Sequence, residues 1–246
     1  GTYPQRRKLK GNKMLLSAEG ISRKYMRQTK NSNYFYAVQK TEFAISQGTI
    51  VEIVGRSGSG KSTFLSMISG MLKPTEGRIF LKADAADKNP TDIYKMDDAS
   101  LSRFRNKNFG VIPQVQSGLN GLSAVENVML PALVYGEESP ELKEKAVHLL
   151  EKVGIKNLQN ERPGSLSGGE LRRMSIARSL INSPAFIFAD EPTGDLDDEN
   201  THNVLSLLKK IAKEENVGIL LVTHETDAAK YADAIYTMAG GVLKIN

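Results

Sequence analysis

The chain has no cysteine, which excludes disulfide bridges and thiolate metal sites and suits a reducing compartment. No apolar run approaches the ~20 residues that a bilayer-spanning helix needs. Residues Gly1 to Lys13 are basic and polar and lack the apolar stretch of a secretory signal. These absences lead to the expectation of a chain that is neither membrane-spanning nor secreted, and is therefore cytoplasmic. The basic run from Arg6 to Lys13 carries no interleaved aromatic residue, which argues against nucleic acid as a partner. No internal repeat or low-complexity linker is visible. The net charge of +5 is modest, and part of it sits in Arg6, Arg7, Lys8, Lys10 and Lys13. Residues 1–13 thus read as a loose basic arm or an expression remnant, with contact to anionic lipid or nucleic acid as the functional alternative. Arg103, Arg105 and Lys107 read as the exposed side of a turn or helix, with lipid headgroups as their alternative partner. What the chain does have is 246 residues, 40% of them hydrophobic and 25% charged, enough for one large soluble domain or a domain with an insertion.

Gly55-Arg56-Ser57-Gly58-Ser59-Gly60-Lys61-Ser62 fits G-x-x-x-x-G-K-[ST], the loop whose backbone N–H groups cradle nucleotide phosphates. A β-branched run, Ile50 to Val54, precedes it, and the helix-compatible Thr63 to Ile68 follows, as a phosphate loop requires. The glycines let backbone approach phosphate, and the helix N-terminus adds partial positive charge. Lys61 is placed to reach the β- and γ-phosphates, and Ser62 to offer a hydroxyl to Mg²⁺. An accidental Gly/Ser-rich turn matching this pattern is on the order of a one-in-a-hundred event in a chain of this length.

Around this loop the N-terminal part is β-rich, with strand pieces at Met14-Leu15-Leu16 and Phe43-Ala44-Ile45. From Pro140 onward the period changes. Leu142, Ala146, Leu149, Leu150 and Val153 recur at helical spacing, and so do Leu171, Met174, Ala177, Leu180 and Ile181. Ala185 to Ala189 and Gly218 to Thr223 read as buried parallel strands, joined by a crossover helix carrying Val204, Leu205, Leu207, Leu208, Ile211 and Ala212.

Two further signals stand at the ends of these elements. Asp190-Glu191 follows a buried strand and offers one carboxylate for Mg²⁺ and another to polarise water, although Pro192-Thr193-Gly194 also reads as an ordinary turn. Leu166-Ser167-Gly168-Gly169-Glu170 precedes a helix. It reads either as an anion-binding helix end or as a plain capping box, with Ser167 at N-cap and Glu170 at N3.

Phosphate loop, Ser-Gly-Gly segment, apolar run to Asp190-Glu191, Gly194-Asp195-Leu196-Asp197 and His224 after the next strand stand in the order and spacing of ATP-binding-cassette (ABC) ATPases. From Met14 onward the chain resembles that family, and within it the macrolide-export and lipoprotein-release branch. The resemblance implies an α/β fold: a P-loop NTPase (RecA-like) core at 14–114 and 182–246, with an antiparallel β subdomain and an inserted α-helical subdomain at about 115–181. It implies ATP and Mg²⁺ as cofactors. Tyr25 would stack on adenine, with Tyr34, Phe35 and Tyr36 as rival aromatics. Gly55 to Thr63 would hold the phosphates, and Ser62, Gln114 and Asp190 the metal, with Gln114 also sensing the attacking water and linking the core to the helical block. Glu191 would act on the attacking water, and His224 would contact the γ-phosphate. Two cassettes would close head to tail, so that Ser167, Gly168, Gly169 and Asp195 serve a partner's nucleotide, and a separate membrane-spanning permease subunit would be driven. The cassette would then lie peripherally on the cytoplasmic face of the membrane. The segment Asn120 to Pro131, with apolar Val125, Val128, Met129 and Leu130, is read either as the permease contact or as ordinary helix packing. Glu170 and Gly194-Asp195 depart from the commoner Gln and Ser-Ala without removing a catalytic group.

Overall fold

The computed structural model describes residues 13–26, 34–115, 118–136, 138–224 and 227–246. The basic arm read at residues 1–13 lies, apart from Lys13, outside them. In chain order the elements are β1 (Leu15–Met26), β2 (Tyr34–Ser46), β3 (Ile50–Val54), α1 (Lys61–Ile68), β4 (Glu76–Lys82), β5 (Thr91–Asp92), α2 (Asp98–Asn108) and β6 (Phe109–Ile112). They continue with α3 (Ala124–Leu133), α4 (Pro140–Lys152), α5 (Gly168–Leu180), β7 (Phe186–Asp190), α6 (Asp198–Glu214), β8 (Gly218–Thr223), β9 (Ala234–Ala239) and β10 (Val242–Ile245).

Two sheets form. One is antiparallel, in the order β2-β1-β4-β5; the other runs β10-β9-β3-β8-β7-β6, parallel except for β10. The parallel strands are apolar on both faces because both are covered. Ile50, Ile187, Ile219 and Leu221 pack toward the helices. The alternate residues Val51, Ile53, Phe186, Phe188, Leu220 and Val222 pack toward α1 and the antiparallel sheet. Glu52 breaks this rule: it is fully buried in β3, and neither carboxylate oxygen has a hydrogen-bond partner among the described residues.

Helices α3, α4 and α5 lie between β6 and β7 in the chain and share a core. Each starts on a serine cap. Ser123 and Ser167 form complete capping boxes with Glu126 and Glu170, and Ser139 accepts from Leu142 N ahead of Pro140. The capping box read at Ser167 is thus present. In α3, Val125, Val128 and Met129 are buried in the core, while Leu130 is half-buried. The exposed apolar residues of that region are instead Val115, Leu119, Val134 and Tyr135.

Leu15-Leu16 and Phe43–Ile45 prove to be the ends of strands of 12 and 13 residues, whose middles carry no clean alternation, and Met14 precedes the first of them. Arg103, Arg105 and Lys107 do lie on a helix, α2. Arg105 turns inward to donate from Nη1 to Gly70 O at 2.8 Å, while Arg103 lies 5.7 Å from the Tyr135 ring.

Candidate nucleotide site

In a parallel sheet every C-terminal strand end emerges at one edge, so loops far apart in sequence meet there. β3 ends in the glycine loop, β7 in Asp190-Glu191, β8 runs into His224, and β6 leads to Pro113-Gln114. These ends open on a cleft of about 1080 Å³.

The floor of the cleft is the glycine loop. Gly60 caps α1 at φ 108°, Gly58 has φ 75°, and no side chain caps the helix, so its first N–H groups point into the loop. Close packing demands glycine twice. A Cβ on Gly55 would stand 2.3 Å from Met238 O, and one on Gly60 2.2 Å from Ala37 O. Lys61 Nζ donates to Gly55 O at 2.6 Å and Arg56 O at 3.3 Å, which holds the ammonium over the loop.

The opposite wall is acidic. Glu191 has φ 45°, an uncommon conformation for a side chain of this size, and is held there by its N–H donating to Val222 O at 2.9 Å. Its Oε2 lies 3.2 Å from His224 N and 3.0 Å from His224 Nδ1, and its Oε1 lies 3.8 Å from Lys61 Nζ. Asp190 Oδ1 accepts from Ser62 Oγ at 3.4 Å. Burial pushes the Asp190 carboxyl above its ordinary range, an effect opposed by the Ser62 hydrogen bond and reinforced by Glu191.

Tyr25, Gly55, Arg56, Ser57, Gly58, Gly60, Lys61, Ser62, Thr63, Gln114, Glu191 and His224 all line the cleft. Ser59 is buried behind the loop, where its carbonyl accepts from Gly241 N at 3.0 Å, and Asp190 is reached through Ser62. Ser167, Gly168, Gly169 and Asp195 do not line it; Ser167 and Gly168 stand exposed at the start of α5, and Asp195 is exposed ahead of α6. Tyr25 and Phe35 are paired across β1 and β2 with ring centroids 5.8 Å apart, and both line the cleft together with Tyr36, whereas Tyr34, the third rival, does not. Sequence reasoning missed Ala37, Gly240 and Gly241, which also border the cleft. The only local signal was the Gly-Gly pair between two apolar runs.

Among the described residues no group of three or more His, Cys, Asp or Glu side chains is arranged to hold a metal. Ser62 and Asp190 are a hydroxyl and a carboxylate, the hard oxygen donors that suit a magnesium ion completed by phosphates and water.

A glycine loop between strand and helix, a lysine over it and a carboxylate pair at a neighbouring strand end define a phosphate-loop nucleoside triphosphatase. The sequence profile of the ABC transporter family matches residues 38–194. The ABC transporter ATP-binding protein YtrE of Bacillus subtilis is 39% identical over 84% of this chain and 87% of its own length. The lipoprotein-releasing system ATP-binding protein LolD of Wigglesworthia glossinidia brevipalpis is 38% identical over 94% of this chain and 97% of its own. The solved dimer of the ABC transporter cassette MJ0796 superimposes with a TM-score of 0.79 at 31% identity, over 94% of this chain and 98% of that one. The same cassette in a post-hydrolysis state bound to ADP and Pi gives 0.78. The chain belongs to the ABC transporter family and is an ATP-binding subunit with ATPase activity. Among its described residues no helix is long and apolar enough to cross a membrane.

Proposed function

We propose that this ATPase energises a separate membrane-spanning subunit of the lipoprotein-release and macrolide-export kind, through ATP-driven closure of two cassettes head to tail. The observation that carries this reading is a division of the chemistry. One chain gathers the glycine loop, Glu191 and His224 in its own cleft, yet presents Ser167 and Gly168 exposed and outside it. Exposed N–H groups at the start of a helix make sense if the phosphate they meet is held by a second copy. The resemblance to LolD supports the branch.

In this reading the Tyr25 wall stacks on adenine and Gly55 to Thr63 hold the phosphates. Ser62 and Asp190, with Gln114, hold Mg²⁺, which when bound neutralises charge on the β- and γ-phosphates. His224 occupies Glu191 Oε2, which leaves Oε1 to take the proton of the attacking water, with Lys61 nearby to offset the developing charge. Residues of about 115–181 act as a helical unit against the core at 14–114 and 182–246. Exposed Val115, Leu119, Val134 and Tyr135 then supply an apolar contact for the membrane subunit, which holds the cassette at the cytoplasmic face.

A coupled ATPase assay with size-exclusion light scattering tests the reading. Lys61→Ala should lose nucleotide binding. Glu191→Gln should bind ATP, hydrolyse it roughly 10²–10⁴-fold more slowly and run as a dimer only with Mg-ATP. Normal turnover by Glu191→Gln overturns the assigned base. Affinity capture of the trapped dimer from detergent-solubilised membranes should recover a subunit with few spans and a large extracytoplasmic domain. A many-span permease with a binding protein would point to import instead.

A further inference from the structure

The largest fully buried side chain in the described structure is an arginine, Arg172, on α5. Burying a guanidinium without an ion pair is costly, and the burial depresses its basicity. No salt bridge within 4.0 Å forms to it among the described residues, although the charge of Asp195 reaches it. Its fork is spent on backbone. Nη1 donates to Pro113 O at 2.7 Å and Nη2 to Gln114 O at 3.1 Å, while Nε has no acceptor. The same face of α5 buries Gly169, Ser175, Ile176 and Ser179, and leucine or methionine would fill the position without a charge to desolvate. What arginine adds is two parallel donors that fix consecutive carbonyls, and with them the orientation of the Gln114 backbone.

We infer that Arg172 is a positioning residue for Gln114, rigidly joining the loop that enters one nucleotide cleft to the helix whose N-terminus, Ser167 to Gly169, serves the other. This rests on the head-to-tail reading above. α5 is a continuous helix from Gly168 to Leu180, so a shift of its N-terminus toward a partner's phosphate carries the Arg172 guanidinium with it. Gln114 is exposed in the cleft just beyond the end of β6, and the two carbonyls that Arg172 holds are its own and that of Pro113, so its side chain follows them. Arg172 lines neither cleft and acts through Gln114.

The test is a double-mutant cycle on single-site turnover, with Arg172→Met removing both donors and Arg172→Gln keeping an amide donor in a side chain that is safer to fold. Folded Arg172→Met should keep its ATP dissociation constant within about twofold and lose roughly 10- to 100-fold in kcat, with Arg172→Gln between it and wild type. Combined with Gln114→Ala, either variant should add little beyond the larger single effect, because both act on one group. A kcat within about twofold of wild type, a loss confined to ATP affinity, or effects that multiply with Gln114→Ala would each overturn the assignment and leave Arg172 a fold residue. If Arg172→Met does not fold, Arg172→Gln carries the cycle alone. The broader reading fails separately: in that case wild type does not turn over ATP, or Glu191→Gln does not dimerise, whatever the Arg172 variants do.

Discussion

Glu52 shows what one residue does to the stability of the central strand. Burial pushes its carboxyl up to about 7 from an ordinary 4.5. The folded chain therefore binds this proton more tightly than the unfolded chain. For this group, stability is greatest below about pH 4.5, declines between 4.5 and 7, and stays at the lower level above that window. The swing corresponds to about 3 kcal/mol. Urea unfolding of wild type and Glu52→Gln at pH 5 and pH 8 should show the variant gaining by about that amount at the higher pH. A constant difference would mean that the carboxyl is not held neutral. Gly60→Ala should abolish ATP binding, because φ 108° and a contact of 2.2 Å to Ala37 O leave a methyl no room, a loss measurable by calorimetry. The roles of such loop residues were legible in sequence because their chemistry is chain-local. Arg172 was not, because what gives it its meaning is a pair of carbonyls 58 and 59 positions away along the chain.

At the level of elements, the helices rest on their caps. Ser123 N donates to Glu126 Oε2 at 2.7 Å while Glu126 N returns to Ser123 Oγ at 3.4 Å. Ser123→Ala should lower the stability of the helical block by about 1 kcal/mol, seen as a reduced denaturation midpoint at unchanged slope. Where β6 meets α5 the backbones nearly touch, since a Cβ on Gly110 would lie 2.4 Å from Ser179 O. Gly110→Ala should cost about 1–3 kcal/mol by forcing strand and helix apart, read as a lower melting temperature. Elements with a clean period or a continuous apolar run were readable: α4 and α6 each bury a regular set of apolar residues, and β7 and β8 are apolar runs buried on both faces. β4, β5, β9 and β10 were not read. They are short or half-exposed, and their pairing, not their pattern, makes them strands.

For the molecule as a whole, the head-to-tail pairing proposed above predicts that the Ser167 end of α5, which lies outside its own cleft, completes the cleft of a second copy. Gly168→Asp tests this. An aspartate in the first turn of a helix is tolerated by the helix dipole, so the chain should fold and bind ATP in its own cleft. In the Glu191→Gln background the added carboxylate should meet the partner's phosphate and prevent the Mg-ATP-dependent dimer, as read by light scattering. An undiminished dimer would place Gly168 away from the shared site. By itself the sequence determined the glycine loop, the capping boxes, the buried parallel strands and the order of the family's motifs, because each depends on residues a few positions apart. Only the tertiary structure decided that Gln114, Glu191 and His224 share one cleft with Lys61, that Tyr25 and Phe35 form one wall, and that Arg172 holds the Gln114 loop. Those relations arise where parallel strand ends converge and where a buried guanidinium must find acceptors, and neither distance is written along the chain.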